Sequence, residues 1–219
     1  MWQLARRAGS SNIRFGQFMN RDLTMKSSGS LAIGSAALLA VTLWCPTANG
    51  QSDASSRAAR AFETVRSVLQ HPRCQNCHIP GDAPLQFDSG LRHAQNVLRG
   101  ATGHGAIAME CAACHQTQNS PASYGVNAPP GAPTWHLPPP ETKMVFIDLS
   151  PRALCAVIKD RKETGGKDLQ AMLKHVRDDK LVGWGWNPGG VRTLPPVTRD
   201  VFVRAFKEWM DLGAPCPAA

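Results

Sequence analysis

No extended run of lysine or arginine occurs in this 219-residue chain, although it holds 24 Lys+Arg against 16 Asp+Glu. Nothing in it therefore reads as a nucleic-acid-binding stripe. No apolar run reaches the roughly 20 residues that a bilayer span needs; the run from Leu31 to Trp44 falls short. No segment sustains a two-residue alternation of apolar and polar side chains, so a strand-built architecture is not expected. Regular helix is excluded between Ser120 and Lys143, where prolines stand at 121, 129, 130, 133, 138, 139 and 140 and remove amide donors. A long irregular segment in a chain of this size is expected to serve a function.

What is present begins with a leader. From Met25 the chain runs through Lys26, the apolar stretch Leu31–Trp44, and small residues Ala48 and Gly50 ahead of Gln51. A charged n-region, an apolar h-region and a small-residue cleavage site make a secretory signal peptide over residues 25–50. Bulky Trp44 argues against Cys45 as a lipidated cysteine. Residues 1–24 are basic and lack apolar periodicity, and are read as an upstream extension. The mature domain is expected over residues 51–219. Loss of residues 1–50 takes away five cations and one carboxylate, leaving 19 Lys+Arg against 15 Asp+Glu, a net +4.

Six of the seven cysteines remain after that cleavage. Four lie in Cys74-Gln-Asn-Cys77-His78 and Cys111-Ala-Ala-Cys114-His115. Cys155 and Cys216 are left over, and in an oxidising compartment they are expected to pair and tie the C-terminal tail to a helix; the alternative is two buried free thiols.

The periodicity predicts a mostly α fold. Ala58–Gln70 places Phe62, Val65 and Leu69 at helical spacing behind Ser55 or Ser56 as N-cap. A short helix is expected from Asp88 to Leu98, ended by Gly100. Ser150-Pro151 opens a helix at the favoured Ncap–N1 positions, running to about Glu163. Lys167–Asp178 carries Leu169, Met172, Leu173 and Val176. Thr198 caps a last helix with Val201, Phe202, Ala205, Phe206 and Trp209 on its buried side, ended by Gly213.

In Cys-x-x-Cys-His, the two thiols add across the vinyl groups of one porphyrin, and the adjoining His binds iron from the same face. Two copies predict two haem c groups, with Cys74, Cys77, Cys111 and Cys114 as covalent anchors and His78 and His115 as proximal ligands. The haems would add four propionates, bringing the charge close to neutrality. Cys-x-x-Cys pairs also build zinc sites, but the 33 residues between Cys77 and Cys111 exceed a zinc-ribbon spacer of about 15–20, and zinc explains no adjoining histidine. A redox Cys-x-x-Cys would need neither the histidine nor the repetition.

For the sixth iron ligand the mature chain offers His71, His93, His104, His136 and His175, and Met109, Met144, Met172 and Met210. Met144 and His136 rank first because they bracket the rigid Leu137-Pro138-Pro139-Pro140 segment, which would present a ligand at low entropic cost. His93, 15 residues after His78, is placed to fold back over the first haem, and His175 lies on the inward side of its helix. Two irons use at most two of these; Met172 and Met210 read most simply as core. Trp184 and Trp186 are expected either to pack on a porphyrin face or to be aromatic core.

The segments His71-Pro-Arg-Cys-Gln-Asn-Cys-His-Ile-Pro-Gly-Asp, Gly103-His-Gly-Ala-Ile-Ala-Met-Glu-Cys-Ala-Ala-Cys-His, Pro130-Gly-Ala-Pro-Thr-Trp-His-Leu-Pro-Pro, Trp184-Gly-Trp-Asn-Pro-Gly and Gly213-Ala-Pro-Cys-Pro resemble small proteobacterial dihaem cytochromes. Those are labelled as partners or subunits of isoquinoline 1-oxidoreductase-type molybdenum hydroxylases. The resemblance spans roughly Phe62 to Pro217. It implies a periplasmic electron acceptor for a dehydrogenase of that type, crossing the membrane only during export. Electron transfer is thus the expected function, with no catalytic residue. The alternative is a haem enzyme, such as a dihaem peroxidase, or a redox or gas sensor, with one open iron; His104 or Glu110 would then act as distal acid or base.

Overall fold

The computed structural model describes residues 49–218. The expected extension over residues 1–24, and all but the end of the expected signal peptide over 25–50, lie outside them. Among the described residues the fold is mostly α, with six helices and two minimal hairpins. The helices are α1 (Asn49–Leu69), α2 (Pro72–Gln75), α3 (Pro151–Lys159), α4 (Leu169–Asp178), α5 (Lys180–Trp184) and α6 (Arg199–Asp211).

Caps fix the later helices where the sequence places them. Ser150 accepts from the Ala153 amide (3.2 Å), with Pro151 opening α3. Asp168 accepts from Ala171 (2.8 Å) at α4, and Thr198 accepts from Val201 (3.4 Å) at α6. At α1 the helix extends to Asn49, so Ser55 and Ser56 lie inside it instead of capping it. Its Ala58, Ala61, Phe62, Val65, Val68 and Leu69 form one buried stripe that packs chiefly on α6. Aromatic rings dominate that seam. Trp209 is fully buried between Phe62 (ring centres 5.2 Å) and Phe206 (5.6 Å), and donates its indole N–H to the Pro215 carbonyl (2.9 Å).

The C-terminal tail returns to α3, where Cys155 and Cys216 stand at disulfide distance, their Cα atoms 5.5 Å apart. The bridge closes a separation of 61 residues. Its reduction is therefore expected to cost about 4 kcal/mol of unfolding free energy on the loop-closure argument. Denaturant melts of oxidised and thiol-treated protein measure this directly.

The segment after the first cysteine motif departs from expectation. Residues 88–98 form no α-helix. Strand β1 (Leu85–Gln86) pairs antiparallel with β2 (Leu91–Arg92), and a 3₁₀ turn follows at Ala94–Asn96. Phe87, Gln95 and Asn96 have positive φ, which interrupts helix, and the His93 amide is drawn to the Pro84 carbonyl (2.8 Å) instead of to a helical neighbour. A second hairpin, β3 (Gly105–Ala106) with β4 (Met109–Glu110), leads into the second motif. Residues 120–143 lack regular helix apart from 3₁₀ turns at Ala122–Tyr124 and Pro140–Thr142.

Two buried features hold these loops to the helices. Arg99, only 1% exposed, donates to the carbonyls of Ile79 (3.2 Å), Gly81 (2.9 Å) and Pro138. It thereby joins the exit of the first motif to the proline segment. Gly103 (φ +86°) lies against the Leu137 carbonyl so closely that a Cβ would overlap its oxygen. No helix of the described residues is long and apolar enough to cross a membrane.

Candidate functional site

Both Cys-x-x-Cys-His segments fold as the same tight turn. In the first, which ends α2, the Cys77 and His78 amides both donate to the Cys74 carbonyl, each at 3.2 Å. In the second, the Cys114 and His115 amides both donate to the Cys111 carbonyl, at 3.2 and 2.9 Å. One turn thus gathers two thiols and an imidazole, and does so twice despite dissimilar flanks. His71 accepts from the Arg73 amide (3.3 Å) to cap α2 and start the first turn.

The two imidazoles are also secured alike. His78 Nδ1 lies 2.9 Å from the Met144 carbonyl oxygen, and its ring stacks on Phe146 (4.0 Å, 14°). His115 Nδ1 lies 2.7 Å from the Pro130 carbonyl oxygen, and its ring stacks on Trp135 (4.3 Å, 1°). A carbonyl oxygen can only accept, so Nδ1 carries the proton and Nε2 keeps its lone pair for a metal. Burial holds both imidazoles below the ordinary histidine range, His78 down to about 4, which preserves that neutral, ligating form near pH 7.

Cys74, Cys77 and His78 face a deep cleft between the helices and the proline segment, whose non-atom space, mouth included, is about 1240 Å³. Its walls are mainly apolar: Leu69, Phe146, Ile158, Met172, Trp184 and Phe206 among others. Burial pushes the Cys74 thiol up to about 12 and the Cys77 thiol to about 11. The second turn is shallower, with Cys114 exposed and Cys111 half-buried. Cys111 is nevertheless near enough to Cys77 to act on its ionisation.

The sequence-level candidates for a distal ligand scatter. Met144, ranked first, offers its backbone carbonyl to Nδ1 of His78. That places its carbonyl at the imidazole edge away from Nε2, in a left-handed turn (φ 45°), while Met144 also lines the cleft. His136 lines the cleft, with its Nδ1 tied to the Thr134 carbonyl and its ring stacked on His104 (5.1 Å, 19°). His175 lines the same cleft from α4, with Nδ1 3.5 Å from an Asp179 oxygen. His93 is not over the first turn; it lies beside His115, ring centres 6.1 Å apart. The hairpin in place of the expected helix carries it there. His71 lies 3.4 Å from the Thr193 hydroxyl through Nε2, and Met109 is exposed on β4.

Several site residues carry no sequence signal of their own. The carbonyls of Met144 and Pro130 belong to the backbone, and any residue supplies one. Trp135 stacks on His115 while also lining the first cleft and meeting Trp184 edge-on (4.8 Å, 80°). Arg73, its side chain 3% exposed, pairs with Asp88 and sits 5.9 Å over the Trp184 ring. Aromatic and basic character at these positions was visible in the chain; their convergence was not.

The residues present fit a covalently attached haem. The first cleft is mainly apolar, with two thiols and the Nε2 edge of an imidazole at one wall. Arg73 also lines it and keeps a buried Nε with no acceptor, suited to an anionic propionate. A zinc site fits poorly, because it needs four ligands on one ion, and among the described residues no group of three or more His, Cys, Asp or Glu side chains, those of each turn included, is arranged to hold one metal ion. A haem iron asks the protein for two at most. Comparison with protein-family models, with curated proteins and with solved structures finds no match.

Proposed function

We propose that the chain is a periplasmic dihaem c-type cytochrome that carries electrons between a dehydrogenase and the respiratory chain. The observation that carries this reading is the duplicated site. Each Cys-x-x-Cys-His turn presents two thiols and an imidazole whose Nδ1 is committed to a backbone carbonyl, leaving Nε2 for iron. The haem, when bound, supplies one-electron cycling between ferric and ferrous iron. The chain's own residues do the rest. His78 and His115 would hold the iron through Nε2, Phe146 and Trp135 stack on those rings and keep them from turning, and the mainly apolar cleft would limit the water around the first group.

Cys155 and Cys216 at disulfide distance support an oxidising compartment, in keeping with the signal-like leader. His175 is the better candidate for the far side of the first iron. It shares the cleft with His78, and Asp179 faces its Nδ1, the carboxylate–histidine arrangement that orients metal ligands. The resemblance to cytochromes associated with isoquinoline 1-oxidoreductase-type enzymes supplies the partner class, a periplasmic molybdenum hydroxylase.

The test is production of the chain in a host competent for haem attachment, followed by intact mass, alkaline pyridine spectrum and CO addition to the reduced protein. Two covalent haems, both low-spin and indifferent to CO, are expected. A product with no attached haem would overturn the reading. One high-spin, CO-binding haem would replace the carrier with the enzyme or sensor alternative.

A further inference from the structure

We infer that His93 is the second axial ligand of the haem anchored by Cys111 and Cys114, so that this centre is ligated by two histidines, His115 and His93. The inference rests on the dihaem reading above and assigns a pairing that the sequence order does not suggest, since His93 follows the first motif.

The rings of His93 and His115 have their centres 6.1 Å apart, with planes at 66°. Two imidazoles bound to opposite sides of one metal through Nε2 have a defined separation. Each contributes a metal–nitrogen bond of about 2.0 Å and about 1 Å more from nitrogen to ring centre, which sums to about 6 Å. The observed spacing matches. The same distance also suits edge-to-face packing of two rings, so spacing alone does not decide.

The hydrogen bonds decide further. His115 commits Nδ1 to the Pro130 carbonyl (2.7 Å), and His93 commits Nδ1 to the Ala94 carbonyl (2.8 Å). Both rings are therefore Nδ1-protonated tautomers with a free Nε2, and no hydrogen bond joins them. His93 is also held in place by its backbone. Its amide donates to the Pro84 carbonyl (2.8 Å) at the open end of the β1–β2 ladder, and Leu85 pairs with Arg92 just beyond. A surface histidine without a role needs neither restraint. The competing side chains are engaged elsewhere: His104 stacks on His136, and His175 faces Asp179 within the first cleft.

The experiment compares the holoprotein with His93→Gly, His93→Met and His104→Gly variants, read by absorption, low-temperature EPR and reductive titration. In the unaltered ferric protein, imidazole planes crossed at this angle are expected to give one strongly anisotropic low-spin signal; its absence from both centres would count against the pairing without requiring any variant to fold. In His93→Gly one haem of two is expected to become high-spin and to bind CO when reduced, and added imidazole is expected to restore the low-spin spectrum. In His93→Met one potential is expected to rise while the other stays, because a thioether favours ferrous iron relative to imidazole. His104→Gly is expected to leave both centres low-spin. Two low-spin, CO-indifferent haems in His93→Gly would overturn the assignment while leaving the cytochrome reading intact; a wild-type protein without attached haem would overturn the reading itself.

Discussion

Replacing both Cys111 and Cys114 by alanine is expected to yield a folded protein with half the haem absorbance and a mass lower by one haem. The reciprocal replacement of Cys74 and Cys77 is expected to yield little folded protein. The asymmetry follows from where the two turns sit. Cys114 is exposed, Cys111 is half-buried, and neither packs against the main hydrophobic cluster. Cys74 does pack against it, and the cleft it faces is walled by Leu69, Ile158, Phe202 and Phe206, which belong to the same core. On the dihaem reading, protein without the first haem would keep that cleft empty, and emptied apolar space costs roughly 24 cal/mol per Å³. Haem content, intact mass and thermal melts of the two double variants separate the outcomes. Equal loss of stability in both would show that the first cleft is not a core element.

Arg99→Ala is expected to be strongly destabilising, at about 3 kcal/mol. The side chain is 1% exposed and satisfies the carbonyls of Ile79, Gly81 and Pro138. Truncation leaves the buried Ile79 carbonyl and two partly buried ones without their donor; a buried acceptor so orphaned costs about 1–3 kcal/mol, and the partly buried ones less. It also frees the half-exposed Asp82, which lies 3.5 Å from the guanidinium and 3.1 Å from Lys143; that surface partner adds little. A domain stable by about 5–15 kcal/mol has little margin for such a loss. Arg99→Lys keeps the charge but not the fork, and is expected to recover only part of the stability. A denaturation midpoint near wild type for Arg99→Ala would show that the three carbonyls find water or rearrange.

The helices were legible where local chemistry alone decides them. Ser150-Pro151, Asp168 and Thr198 cap α3, α4 and α6, and the apolar spacing of Leu154, Met172, Phe202 and Trp209 fixes their buried faces. The expected helix over residues 88–98 gives way to the β1–β2 pairing and the bond from the His93 amide to the Pro84 carbonyl, contacts that no local pattern in this stretch reports. The cysteine turns were fully legible, since five consecutive residues set them. The placement of the other candidate ligands was not: Met144 follows a rigid proline segment, and the structure puts its carbonyl at Nδ1 of His78 while the residue also lines the cleft. His93 comes beside His115 after the β1–β2 hairpin over residues 85–92, a pairing that the local sequence does not announce.

Trp135 belongs to both sites, flat against His115 on one side and in the wall of the first cleft on the other. On the dihaem reading proposed above, a common wall means that neither centre would titrate alone. Removing an electron from one would place a positive charge near the other across material of low dielectric, and so make the second electron harder to remove. A reductive titration of the whole protein should then spread over a wider span than two independent one-electron curves. The two midpoints read from it are properties of the pair, in the same way that two coupled protons lose their individual owners.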